Sequence, residues 1–268
     1  MFDAIPDDIA VALAAAEPAL GPYASLRYAA EIGSTNDAAL ALALSGAPEG
    51  TSVLADLQTR GRGRRGHDWF SPPESGLYLS VIVRPRLAAE VVPVLTLAAG
   101  IAAAEAIQEL TRLPIELKWP NDIVIGRPWR KLGGILSEGA SAGGRLDAVV
   151  VGIGVNLRAT SYPPELAGRA TSIETELGRP IDRAPCLVTL LARLRAIMDR
   201  LHADGREAIC RDWRTFGRRG LHGAAVRWAE RGVDRRGRAR DIDADGALLV
   251  DVDGRIERII AGEVIWES

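Results

Sequence analysis

Hydrophobic and polar positions change their period several times along this chain, and each change predicts an element. Leu187, Leu190, Leu191, Leu194, Ile197, Met198 and Leu201 recur at helical spacing, with Arg193, Arg195 and Arg200 on the opposite face. That stripe predicts a helix over 185–203, and a second helix follows over 207–216. Residues 77–83 are apolar at nearly every position, which predicts a strand covered on both faces and therefore central. A helix with Pro93 in its first turn runs on through Leu110 and is apolar nearly all round, so it is expected to be buried. Ser34 with Asp37 fits a capping box and starts a helix there. A short helix is expected over 8–17, and further strands over 51–57, 115–119, 122–125, 132–138 and 146–157.

The pattern changes after Gly217. Arg218, Arg219 and Gly220 read as a linker. Five short strand candidates follow, at 224–230, 237–243, 247–252, 256–260 and 263–266. Asp245-Gly246 and Asp253-Gly254 between them are hairpin signals. About 50 residues of closely spaced strands predict a small barrel. The expected division is therefore 1–217 and 218–268, without internal repeats.

Composition narrows the class. The chain has 268 residues, 47% hydrophobic and 25% charged. That fits one large domain, or a domain plus a small module, and excludes a disordered or coiled-coil chain. Lys and Arg number 33 against 35 Asp and Glu, a net charge of −2, which weighs against a globally basic nucleic-acid binder. Ten arginines crowd residues 211–240, but Asp212, Glu230 and Asp234 interleave with them, as on a solvated face. Cys186 and Cys210 form no C-x-x-C and read as buried free thiols of a reducing compartment. The longest uncharged apolar stretch, 91–104, is shorter than the roughly 20 residues a membrane span needs. Asp3, Asp7 and Asp8 stand where a signal peptide carries cations. A cytoplasmic protein is expected.

Four clusters carry candidate chemistry. Gly61, Arg62, Gly63, Arg64, Arg65 and Gly66 spell G-x-G-x-x-G. Pro72 and Pro73 follow too soon for a Rossmann helix, and no kinase elements accompany the loop. With Arg60, four arginines share a flexible loop, which favours anion binding through guanidinium forks and close backbone N–H groups. Lys118, Trp119, Pro120, Asn121 and Asp122 place a cation and an amide at a strand end, a pattern that equally fits an ordinary turn. Lys131 precedes Gly133 and Gly134, glycines inside a strand pattern that suggest close approach by a ligand or another backbone. Gly152 and Gly154, with Asn156, open space beside a buried strand, for a ligand or for a packed helix. His67, His202 and His222 have no metal-ligand spacing, and no Ser/His/Asp or Cys/His nucleophile signature is present.

Taken in order, these clusters resemble a biotin protein ligase. The resemblance rests on Gly33-Ser34-Thr35-Asn36, Gln58 to Gly66, Trp69 to Pro72, Gly76 to Ser80, Lys118 to Asp122, Lys131 to Leu136 and Gly152 to Leu157. The C-terminal strands, ending in Ala261 to Val264, resemble that family's SH3-like tail. The resemblance implies an α+β fold: a central mixed or antiparallel sheet flanked by helices, of the class II synthetase-like type, plus a small C-terminal SH3-like barrel. It also implies a two-step reaction. Biotin and ATP give biotinyl-5′-AMP, with Mg²⁺ accompanying ATP. A lysine of a biotin carboxyl carrier protein or domain, of acetyl-CoA carboxylase or a related carboxylase, then takes the biotinyl group.

The family's roles carry over by position. Lys131, Arg64 and Lys118 are the implied catalytic residues. Ser34, Thr35, Asn36 and Gln58 line the biotin pocket. Gly61, Arg62, Gly63 and Arg64 close over the ligand, and Trp69 packs near adenine. Asn121 and Lys131 serve the phosphates and carboxylate, while Gly133, Gly134, Gly152, Gly154 and Asn156 border the pocket. Arg60 and His67 depart from the family's usual loop. About 30 residues precede Ser34, too few for a helix-turn-helix domain. The resemblance is thus to the type without an N-terminal DNA-binding domain, with no repressor role, no DNA and no membrane partner. Homodimers through a sheet edge are common in that family. A lipoate or octanoate ligase is the nearest rival. A nucleic-acid-binding module using the arginine loop is the rival of a different class.

Overall fold

The computed structural model of the chain describes residues 2–84, 92–142, 145–230, 232–260, 262 and 264–267. Residue 91 of the long apolar stretch, Arg231 of the arginine-rich segment, and Ala261 and Glu263 of the C-terminal motif lie outside the described residues.

Seven strands form one sheet: β1 (Leu26–Ile32), β2 (Ser52–Gln58), β3 (Gly76–Val83), β4 (Glu116–Lys118), β5 (Asp122–Ile125), β6 (Arg130–Ala142) and β7 (Arg145–Asn156). Their order is β1-β2-β3-β7-β6-β5-β4. β1 and β2 pair parallel, and the other neighbours pair antiparallel. The sheet is therefore mixed, as expected. β3 is buried along its whole length, which its apolar run required. The α-helices of the described residues are α1 (Asp7–Leu20), where a helix is expected, α2 (Thr35–Leu44), α3 (Val92–Thr111), α4 (Ile173–Leu177) and α5 (Arg183–Leu221).

The two faces of β3 and β7 have different neighbours. Leu77, Leu79, Val81 and Val83, with Val149, Val151, Ile153 and Val155, belong to the large core under α3 (Val92–Thr111) and α5 (Arg183–Leu221). The alternate residues Ile82, Ala148 and Val150 pack under Ala39 and Ala43 of α2 (Thr35–Leu44). Toward the start of α2 that second face turns to glycine on β7 and β6. Tyr78 and Ser80 of β3 oppose Gly154 and Gly152 of β7, and Gly154 in turn opposes Gly134 of β6. A two-residue period thus ends in glycines where the covering helix begins, which leaves room above the sheet.

Three expectations about the helices need correction. Ser34 is the extended N-cap residue of α2, but its side chain makes no capping bond. Asp37 pairs instead with Arg62 at 2.7 Å. The two helices expected over 185–216 form α5, which is broken at Gly205 (φ 78°, ψ −177°). Its second half continues to Leu221, so Arg218, Arg219 and Gly220 are helical and are not a linker. Contacts stabilise that last turn: Arg219 bonds Glu116 and the Gly126 carbonyl, and Gly220 lies against Trp266 and Trp129. Finally, α3 runs for 20 residues and has a mean hydropathy of 1.3, enough by length and composition to cross a membrane. Here it lies mostly buried in the core.

The C-terminal strands β8 (Ala225–Glu230), β9 (Val233–Ile242), β10 (Leu248–Val252), β11 (Arg255–Ile259) and β12 (Val264–Trp266) form an antiparallel sheet in the order β11-β10-β9-β8-β12. Asp253 (φ 50°) and Gly254 (φ 85°) make the left-handed pair that a two-residue turn between β10 and β11 requires. This unit docks through tryptophans. The Trp119 indole donates to the Gly246 carbonyl at 2.9 Å, and Trp266 donates to the Trp119 carbonyl at 3.2 Å.

Candidate active site

The space above the glycines is a cavity of about 300 Å³. Its floor is Gly134, Gly152 and Gly154. A Cβ at Gly152 would collide with the Asn36 amide, and one at Gly154 would collide with the Trp69 ring. These glycines therefore admit Asn36 and Trp69 as walls.

At the α2 end, polar groups form a continuous chain. Gln58 Oε1 accepts from the Thr35 backbone N–H (2.9 Å) and hydroxyl (3.0 Å), and Gln58 Nε2 donates to Ser71 (2.9 Å). Ser80 Oγ lies 2.8 Å from Thr35 Oγ1 and 2.6 Å from Asn36 Oδ1. Asn36 Nδ2 donates to Glu138 at 2.7 Å. Ser34 is buried, and its hydroxyl has no hydrogen-bond partner among the described residues.

The other end is cationic. Arg64, Arg65, Lys118 and Lys131 line it, against the acidic Asp68 and Asp122, while Arg62 reaches back to Asp37 and Glu138 beside Asn36. Lys131 Nζ sits 2.5 Å from Asp122 and 5.4 Å from the centre of the Trp69 ring. Arg64 reaches Asn121 Oδ1 at 3.5 Å, and the Asn121 amide donates to the Ile135 carbonyl at 2.8 Å. Burial, and then the Arg65 charge beside it, hold the Arg64 guanidinium below its ordinary pKa. A negative ligand group would relieve both. Lys118 has no ion-pair or hydrogen-bond partner among the described residues. It stands on β4, three strands from the glycines of β7, a separation of about 14 Å at ordinary interstrand spacing. The site is thus elongated, with amide and hydroxyl groups at one end and a surplus of positive charge at the other.

Comparison with known proteins follows this geometry. Residues 28–156 match the biotin/lipoate A/B protein ligase family, and residues 225–266 match the biotin protein ligase C terminal domain. The biotin–[acetyl-CoA-carboxylase] ligase of Mycobacterium tuberculosis is 36% identical over 254 residues, covering 91% of this chain and 89% of that protein. This chain belongs to the biotin protein ligase family. Two solved biotin protein ligases share its fold. That of Aquifex aeolicus, in complex with biotin and ATP, superposes with a TM-score of 0.77 at 28% identity, covering 91% of this chain and 98% of that one. That of Leishmania major, in complex with biotinyl-5-AMP, gives 0.61 at 26% identity, covering 88% and 98%.

Most of the residues implied by the ligase resemblance converge on the cavity. Ser34, Thr35, Asn36, Gln58, Arg62, Gly63, Arg64, Trp69, Lys118, Asn121, Lys131, Gly134, Gly152 and Gly154 all line it. Three others do not. Gly61 is behind the wall, where a Cβ would strike the Trp69 carbonyl and Ser71. Gly133 allows close packing on the β7 backbone, its Cβ position lying 2.7 Å from the Gly154 carbonyl. Asn156 is buried and donates to the Thr171 carbonyl at 2.9 Å. Sequence reasoning missed Tyr78 and Leu79 in the lining, and also Gly262 and Val264, which the C-terminal unit contributes. It missed Glu138, which touches both Asn36 and Arg62. Of the two unusual loop residues, His67 lines the cavity and Arg60 packs its guanidinium on Gly33.

Proposed function

We propose that this ligase activates biotin with ATP and transfers it to a lysine of a biotin carboxyl carrier domain of acetyl-CoA carboxylase or a related carboxylase. The observation that carries the reading is the polarity of one elongated cavity: Ser34, Thr35, Asn36 and Gln58 at one end, unpartnered Lys118 with Lys131 and the arginine loop at the other. The biotin ureido ring takes the first end, and its valeryl carboxylate points to the second. There a carboxylate oxygen attacks the α-phosphorus of ATP, the bond to the β-phosphate oxygen breaks, and pyrophosphate leaves. Negative charge grows on the α-phosphate oxygens during that step, and fixed cations aimed at it lower the barrier. Lys131 performs this role after exchanging Asp122 for the substrate. Lys118 and Asn121 hold the phosphates. Arg64, whose burial already disfavours its charge, gains most from a bound phosphate.

In the second step the acceptor lysine's amine attacks the mixed-anhydride carbonyl, AMP leaves with the bonding pair, and an amide forms. Arg62, Gly63 and Arg64 cover the adenylate and keep water from it until then. Mg²⁺ would accompany ATP as part of that substrate. A lipoate-type substrate is disfavoured because its dithiolane would leave the buried Ser34 hydroxyl unpaired, at about 1–3 kcal/mol. The reading includes a cytoplasmic setting, where free thiols such as Cys186 and Cys210 persist. It includes no DNA, repressor or membrane role, and it keeps the division into catalytic unit 1–217 and C-terminal unit 218–268, with α5 crossing it.

The test is transfer. With ATP, Mg²⁺ and biotin, the protein should add one biotinyl group to a purified carrier domain, seen by mass spectrometry and abolished when the acceptor lysine is changed to arginine. Labelling that persists after that change, or that needs lipoate, contradicts the reading.

A further inference from the structure

We propose that Glu138 is a positioning residue that couples the biotin end of the cavity to the arginine loop; the inference rests on the biotin ligase reading above. Glu138 lies on β6, outside the cavity lining, and one of its oxygens holds both Asn36 and the arginine loop. Oε2 accepts from Asn36 Nδ2 at 2.7 Å and from Arg62 Nη2 at 3.0 Å. Arg62 Nη2 is also 2.7 Å from Asp37.

The first contact fixes an amide. Asn36 Nδ2 faces two acceptors, Glu138 and the Leu136 carbonyl (3.3 Å), while Asn36 Oδ1 faces the Ser80 hydroxyl (2.6 Å). Rotating the amide by half a turn would place its oxygen against a carboxylate and a carbonyl, with no proton between them. Glu138 therefore sets which way Asn36 presents itself. Because the one Ser80 proton then goes to Asn36 Oδ1, Ser80 is left as an acceptor toward the Thr35 hydroxyl.

The second contact tethers the loop. Arg62 lies 76 residues from Glu138 in the chain, and Glu138 and Asp37 hold it down on β6 and the first turn of α2. The side chains are 39% (Arg62), 30% (Glu138) and 49% (Asp37) exposed, so the tether sits at the cavity rim and is able to open. One carboxylate thus links the groups that read the biotin ring to the arm that covers the adenylate.

Two Glu138 variants separate these roles. Glu138→Gln keeps a neutral amide oxygen that accepts from Asn36 but removes the negative charge that holds Arg62. Glu138→Ala removes both contacts. Asp37→Asn weakens the tether alone. The readouts are the biotin KM in ATP–pyrophosphate exchange, and AMP release from ATP and biotin without an acceptor. We expect Glu138→Ala to raise the biotin KM about tenfold and Glu138→Gln to restore it to within about threefold of the parent. AMP release without acceptor should rise about threefold or more in both, and in Asp37→Asn. Equal biotin KM values for the Ala and Gln variants would overturn the Asn36 role. Unchanged AMP release in Glu138→Gln and Asp37→Asn would overturn the tether. If the parent protein itself shows no biotin-dependent exchange, the ligase reading fails and takes this inference with it; normal parent exchange with unaffected variants removes this inference alone.

Discussion

Lys131 shows how one residue's surroundings define its task. Its ammonium is paired with Asp122 at 2.5 Å and rests beside Trp69, so it is held at the cavity wall. We expect Lys131→Ala to reduce biotin-dependent adenylation about 10²-fold or more, the range for losing one donor aimed at developing charge. Near-normal adenylation would remove its assigned role. Arg64→Ala should instead release AMP faster in the absence of an acceptor, because the adenylate loses part of its cover. Gly152→Ala should raise the biotin KM, since the added Cβ collides with the Asn36 amide. Most of these positions were legible because glycine, lysine and arginine stand where a strand pattern has no local use for them. Glu138 was not legible: a single glutamate at the end of an apolar strand looks solvated, and its partners are 76 and 102 residues away. Asn156 misled for the opposite reason. It ends a glycine-rich strand, but its amide satisfies the Thr171 carbonyl instead of a ligand.

Elements were legible wherever one face is buried. The stripe on α5 and the double-sided run on β3 each specify a single burial pattern, and both are observed. Features set by distant partners were not. The Ser34–Asp37 box competes with an ion pair to Arg62, and the ion pair forms. The last turn of α5 reads as polar linker because the aromatic rings that cover it come from far along the chain. α5 also carries Cys186 and Cys210, whose thiols burial pushes up to about 12 and about 11. Their folded values lie above the ordinary thiol range, so the stability they contribute is present below about pH 8.5 and lost as pH rises through the folded values. We expect the denaturation midpoint to fall between about pH 9 and 11, and this slope to flatten in a double Cys→Ala variant. At pH 8 a thiol reagent should label neither cysteine until the protein is unfolded; rapid labelling of the native protein would contradict their burial.

Across the whole molecule, the C-terminal unit is part of the site. Gly262 and Val264 complete the cavity wall, and Trp119, sitting between Lys118 and Asn121, is anchored to the Gly246 carbonyl 127 residues away. Trp119→Phe leaves that carbonyl unpaired, which should cost about 1–3 kcal/mol in unfolding experiments. It should also raise the KM for ATP more than that for biotin, because the segment it anchors carries Lys118 and Asn121. Equal effects on both substrates would mean that the anchor is structural only. This joint was invisible in the sequence, where the two units read as separate bodies. The most direct test of the central claim is ATP–pyrophosphate exchange by the purified protein with Mg²⁺, adding biotin, lipoate or octanoate separately. The account predicts exchange that requires biotin and is absent with the other two acids. Exchange driven by lipoate or octanoate, or no exchange with any of the three, would contradict it.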